Sequence, residues 1–169
     1  NFTTLAEVET FVSMIDGRAR IVPLVERVAA VDLIPRFPSL GIEEFHVGLN
    51  DLSIEMNLPH RASVLTLPLA NRISALAAEA GLSFGLGGVA RVGDTTLPIA
   101  PELFHAAIGR LGASGTLIAR SFWSEGMTED MLRDEIAKLR TELRRWAEAG
   151  LEEYEAARLE LVRCLERQK

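Results

Sequence analysis

Four short apolar segments alternate with helical patterns along this chain, and this alternation constrains the fold more than any other feature. The segments are residues 21–25, 42–47, 82–84 and 115–120. Strands that alternate with helices form parallel sheets, because a parallel neighbour is reached by a crossover connection that is usually a helix. The sequence therefore predicts an α/β fold with four parallel strands. Pro23 argues against the first strand, because proline cannot donate to a ladder.

The first two segments are each followed by an acid. Glu26 comes directly after residues 21–25, and Asp51 comes shortly after residues 42–47. The carboxyl ends of neighbouring parallel strands lie only about 5 Å apart, so both side chains could reach one ion. Carboxylate oxygens suit a hard divalent cation. The alternative is that each acid caps the helix after it, where the helix dipole favours negative charge.

A glycine-rich stretch follows the third segment. Residues 85–90 read GLGGVA and match the G-x-G-x-x-A form of a dinucleotide-binding loop. The context does not fit. No helix starts at once, and the next strand, which should end in an acid about 20 residues on, comes later and ends in Arg120. We interpret the stretch instead as a tight turn that lets a ligand approach the backbone. Arg91 and Arg120 are then candidate anion contacts, unless they form ordinary salt bridges.

The tail from residue 128 to residue 169 has the rhythm of an amphipathic helix. Large side chains recur every three or four positions, with a shift of register at Gly150; they are Leu132, Ile136, Leu139, Leu143, Trp146, then Leu151, Tyr154, Arg158, Leu161 and Leu165. This spacing predicts one long helix or two. We expect the helices to pack on this domain or on a partner subunit.

Composition excludes several classes of protein. The 169 residues suffice for one domain, and 48% hydrophobic with 25% charged residues is typical of a globular chain. A net charge of -6 without a long basic tract argues against nucleic acid as a partner. No apolar run is long enough to span a membrane. The single cysteine, Cys164, allows no internal disulfide, which favours a cytoplasmic location.

Two of these stretches resemble a known family. Residues 22–26 (VPLVE) and 45–53 (FHVGLNDLS) are similar to the fifth and sixth strands of the HpcH/HpaI aldolase and citrate lyase β-subunit family. The Gly-x-x-Asp-Leu element is the most recognisable part, and the similarity covers most of residues 1–122. The family is a (β/α)8 TIM barrel. The resemblance implies that residues 1–127 are the C-terminal half of such a barrel, strands five to eight, and that residues 128–169 are a helical extension.

The resemblance also implies a function. Members of the family are divalent-metal-dependent carbon–carbon lyases that act on a 2-oxo acid or a related acyl substrate through a metal-stabilised enolate. Glu26 and Asp51 would hold Mg²⁺ or Mn²⁺, with waters and substrate oxygens as the other ligands. The backbone around Gly48, Leu49 and Asn50 would bind the carboxylate of pyruvate or a similar acid.

The chain also departs from the family. Leu49 stands where the family often has proline, and Arg27 where a small hydroxyl residue often follows the glutamate. The family's essential arginine and its histidine base lie on earlier strands, so we expect them upstream of Asn1. Four strands are half a barrel, so the chain is expected to be completed by a missing N-terminal half or to form a homo-oligomer.

Two other functions stay open at this point. The first is a non-catalytic barrel or half-barrel that serves in assembly through its C-terminal helices. The second is a phosphate-binding sugar or nucleotide barrel that uses residues 85–88 and Arg120.

Overall fold

Helices and strands alternate along much of the chain, as the sequence predicts. The computed structural model describes residues 2–168. The strands are β1 (Leu24–Val25), β2 (Glu44–Val47), β3 (Ser83–Val89) and β4 (Gly115–Ile118). The helices are α1 (Leu5–Ile15), α2 (Val28–Val31), α3 (Leu49–Glu55), α4 (Pro68–Glu79), α5 (Pro101–Leu111), α6 (Glu129–Ala147) and α7 (Leu151–Glu166). None of the helices within residues 2–168 has the length and apolar character needed to cross a bilayer.

The four strands are parallel and follow one another in the sheet in chain order, which confirms the predicted α/β class. Leu24 of β1 lies opposite His46 of β2, and His46 lies opposite Gly85 of β3. β1 is shorter than predicted, because Pro23 has no N–H to give to the ladder. Its carbonyl still accepts a hydrogen bond from the His46 amide at 2.8 Å.

The chain divides into two compact units, Asn1–Gly87 and Gly88–Lys169. The helical extension is predicted to begin at residue 128, and a helix begins there. Thr128 is the N-cap of α6, and its side chain accepts a hydrogen bond from the Met131 amide.

The core of the first unit is built on an aromatic row across one face of the strands. Phe37 and Phe45 are fully buried. Their ring centroids are 5.9 Å apart in a T-shaped arrangement, and the Phe45 ring stacks on Phe84 at 5.6 Å. Because β2 alternates, the same packing that buries Phe45 and Val47 turns His46 to the opposite face.

A capping box starts α1, as the spacing of Thr4 and Glu7, a hydroxyl residue with an acid three positions later, predicts. The Glu7 amide donates to Thr4 Oγ1, and the Thr4 amide donates to Glu7 Oε2 at 2.9 Å. The Thr3 amide also donates to Glu7 Oε2, at 2.8 Å. The bonds from Thr3 and Thr4 hold the pKa of the Glu7 carboxyl below its usual value, with the backbone bond from Thr3 the largest cause.

Replacement of the cap should weaken the first unit. We expect Thr4→Ala to lower the free energy of unfolding by about 1 kcal/mol, because the Glu7 amide loses its acceptor and the Glu7 carboxylate loses the bond from the Thr4 hydroxyl. Chemical denaturation monitored by circular dichroism measures the change. Thr4→Ser keeps the hydroxyl and is the control. Equal losses in the two variants would show that the hydroxyl does not stabilise the helix.

The second unit packs α5 against both α6 and α7. The tail is two helices, and Gly150, in extended conformation, is the N-cap of α7. Gly109 of α5 allows a close approach, since a Cβ there would lie 2.9 Å from the carbonyl carbon and oxygen of Trp146. The side chains that the tail buries are Leu139, Trp146, Leu161 and Leu165.

Candidate metal site

Glu26 lies across the end of the neighbouring strand. It follows Val25, the last residue of β1, and its half-buried side chain meets Gly48 at the end of β2. A Cβ on Gly48 would lie 2.8 Å from the Glu26 Cβ and 3.3 Å from Oε2. Since real Cβ atoms do not approach so closely, a glycine is required at position 48 if the carboxylate is to occupy this place.

Asp51 lies in the first turn of α3, which starts immediately after Gly48. Its side chain is exposed and does not cap the helix. β1 and β2 are parallel neighbours, with Val25 opposite Val47. The two acids therefore follow the carboxyl ends of adjacent strands, as the sequence predicts.

Neither acid acts as a helix cap. The amide of Val28, in the first turn of α2, is bonded by Glu55 Oε2 at 2.7 Å and not by Glu26. Glu55 is a residue that sequence reasoning missed, because it lies 27 positions away along the chain. Within residues 2–168, the carboxylates of Glu26 and Asp51 form no hydrogen bond or ion pair with a side chain or an amide.

Two carboxylates without a hydrogen-bond or ion-pair partner are what residues 2–168 offer at this candidate site. In the described part of the chain, no group of three or more His, Cys, Asp or Glu side chains is placed to hold a metal ion. The donor set therefore consists of two hard oxygen ligands. It fits a cation such as Mg²⁺, which usually keeps several waters and binds to one or two carboxylates together with substrate oxygens.

The backbone donors near the acids are those at the start of α3. The Gly48 amide is already used in the sheet, where it donates to the Val25 carbonyl at 2.9 Å. The amides of Leu49 and Asn50 belong to the first turn of the helix, where amides have no acceptor within the helix. Of the three positions predicted to bind a substrate carboxylate, the last two thus have N–H groups without an acceptor among residues 2–168.

The glycine-rich stretch is not a turn. Residues 85–88 lie inside β3, so the prediction of a tight turn was wrong. A Cβ on Gly85 would lie 2.2 Å from His46 Nδ1, and a Cβ on Gly87 would lie 2.7 Å from Leu49 Cδ1. Because these glycines have no Cβ, the side chains of His46 in β2 and Leu49 in α3 can pack against β3.

His46 joins β2 to β3. Its Nε2 lies 2.9 Å from the Gly87 carbonyl oxygen, which can only accept, so Nε2 carries the proton and donates. Burial lowers the pKa of His46, and the Gly87 carbonyl and Glu44 oppose this effect in part. The ring is therefore a neutral, oriented cross-strand link, and it does not extend the carboxylate pair into a set of three ligands.

The two candidate anion contacts lie in the second unit. Arg91 follows β3, and its Nη1 donates to Ser124 Oγ at 3.5 Å. Arg120 opens the 3-10 turn Arg120–Phe122 after β4 and is exposed. Glu26 and Asp51 belong to the first unit.

No family model, curated protein or solved structure matches this chain. The resemblance carried by residues 22–26 and 45–53 therefore stays a prediction.

Proposed function

We propose that this chain carries the metal-binding part of a divalent-metal-dependent carbon–carbon lyase of the aldolase and citrate lyase type. One observation supports the proposal above all. The Glu26 carboxylate lies against Gly48 and has no hydrogen-bond or ion-pair partner among residues 2–168. Asp51, in the first turn of α3, has no such partner there either. Unpaired acids that follow adjacent strand ends favour a cation.

Each residue then has a defined task. Glu26 and Asp51 would hold Mg²⁺ or Mn²⁺, which when bound supplies Lewis-acid stabilisation of negative charge on a substrate oxygen. The free amides of Leu49 and Asn50 would orient the carboxylate of a 2-oxo acid or a related acyl substrate. Gly48 keeps the space that the Glu26 side chain needs.

The same proposal includes the barrel. We infer that the four parallel strands are half of a TIM barrel and that β1 receives a further strand. Pro23 and Val25 direct their carbonyls to β2, so Leu24 between them directs its N–H and C=O away from that strand. A groove of about 510 Å³ lies alongside. It is lined mainly by apolar residues, among them Phe2, Val8, Phe11, Ile15, Val22 and Leu24.

Three of the groove residues are large and exposed, Phe11 at 53%, Val22 at 46% and Leu24 at 41%. Exposed apolar side chains beside a free strand edge favour pairing with another strand. Either a second copy of the chain or an N-terminal half of the barrel could supply it.

Metal binding tests the function. We expect calorimetric titration with Mg²⁺ or Mn²⁺ to show saturable binding that Asp51→Asn weakens at least tenfold, because the neutral amide loses the charge that attracts the ion. Glu26→Gln should act in the same direction.

Asp134→Asn is the matched control. Asp134 is an exposed carboxylate on α6, in the other unit. The same loss of one charge there should leave the affinity unchanged. Saturable binding that survives in Asp51→Asn, or no saturable binding at all, would refute the metal site.

Exposed apolar side chains on the C-terminal helices, Met131, Leu151 and Leu159, favour a second candidate, a non-catalytic assembly module of the same fold. In this case α6 and α7 serve the assembly, and the chain forms an oligomer without binding a cation. Light scattering of the chain with and without residues 128–169 distinguishes the two. A chain that is monomeric and stays folded without those residues would refute the second candidate.

A further inference from the structure

His105 is a titratable side chain buried inside the second unit. It lies in α5 and has no exposed surface. Neither ring nitrogen makes a hydrogen bond of normal geometry with any of residues 2–168. The Ala90 carbonyl acts on the ring electrostatically but falls short of that geometry.

The contact between α5 and α6 holds a second buried donor without an acceptor. Trp146 of α6 is 7% exposed, and its indole Nε1 also has no partner among the described residues. Gly109, one turn after His105 on α5, touches the Trp146 backbone. The interface is thus closely packed and poor in acceptors, and a buried polar group without a partner is costly there.

Among residues 2–168, few charges face the imidazole. The charged groups of this part of the chain that act on it are Glu102 on its own helix and Glu142 on α6. α7 also packs on α5, and its charges act further along the helix. There Glu155 and Arg158, an ion pair at 2.8 Å, face Arg110. No carboxylate in residues 2–168 is placed to accept a proton from the His105 ring.

We propose that His105 makes the packing of the C-terminal helices sensitive to acid: a neutral ring keeps α5 and α6 together, and a protonated ring drives them apart. Protonation would leave a cation without an acceptor between two closely packed helices. The cation gains solvent or a carboxylate only if the interface opens.

The direction of the effect follows from proton linkage. Burial lowers the pKa of His105 below its ordinary value of 6.5, and Glu102, the Ala90 carbonyl and Glu142 oppose it in part. Below pH 6.5, His105 therefore binds a proton in the unfolded chain but not in the folded chain. The unfolding constant of this unit should rise by up to about tenfold per pH unit, until the pH falls to the folded pKa.

Fluorescence of Trp146 measures this effect in the full chain. Trp123 is the other of the two tryptophans, and Trp123→Phe leaves Trp146 as the reporter. We expect urea unfolding of this variant to shift to lower urea as the pH falls from about 7.5 to about 5. His105→Leu, which suits an apolar interface, should remove most of the shift. His60→Gln, in the other unit, should leave it in place. A shift that persists in full in His105→Leu would overturn the proposal.

A titration of the His105 ring by nuclear magnetic resonance tests the proposal even if His105→Leu does not fold. The ring should titrate below an unfolded histidine, and Glu142→Gln should lower its pKa further, because that carboxylate favours the charged form. Titration at or above the ordinary value would overturn the proposal, as would a pKa that does not move in Glu142→Gln.

Discussion

Gly48→Ala is expected to destabilise the first unit by about 2 kcal/mol and to remove divalent-cation binding. The new Cβ would lie 2.8 Å from the Glu26 Cβ, and both atoms are fixed to the backbones of adjacent strands. Rotation of the Glu26 side chain cannot relieve this contact. The ends of β1 and β2 must separate, which moves the carboxylate away from Asp51.

Urea unfolding and calorimetric titration of one variant measure both effects. Gly115→Ala is the control, because a Cβ there meets no atom within 4 Å. It should keep both stability and binding. Glu26→Gly in the Gly48→Ala background should restore stability but not binding, since it removes the clash together with the proposed metal ligand. Unchanged binding in Gly48→Ala alone would show that Glu26 does not need Gly48 for its position.

The parts of the fold that the sequence predicts are those that local chemistry decides. The Thr4 and Glu7 capping box and the Gly150 break each depend on a few adjacent residues. Pro101 starts α5 because a proline at the first helical position loses no hydrogen bond. The placement of Glu26 and Asp51 beyond the ends of adjacent strands also follows from the sequence, because parallel strands present equivalent ends at one edge.

Contacts between distant residues explain the features that the sequence does not predict. Residues 85–88 have the composition of a turn, and only the register of β2 against β3 shows that His46 requires Gly85. Likewise, the Val28 amide donates to the Glu55 carboxylate, so Glu26 does not cap α2. No local pattern contains this information, because each partner is set by the tertiary fold.

Gly85→Ala should therefore be among the most damaging small substitutions in the first unit, with a loss of about 3 kcal/mol. A Cβ at this position would lie 2.2 Å from His46 Nδ1, so the ring must leave its place. Its hydrogen bond to the Gly87 carbonyl, 2.9 Å long, would then be lost, and a carbonyl at the centre of the sheet would lose its donor.

A double-mutant cycle with His46→Ala separates this clash from a general intolerance of β3 to side chains. In the His46→Ala background, Gly85→Ala should lower the free energy of unfolding by less than about 1 kcal/mol, because the imidazole is absent and alanine is no worse than glycine in a strand. Urea unfolding of the four proteins gives the coupling energy. If Gly85→Ala costs the same with and without His46, then the glycine is required by the strand and not by the ring that lies against it.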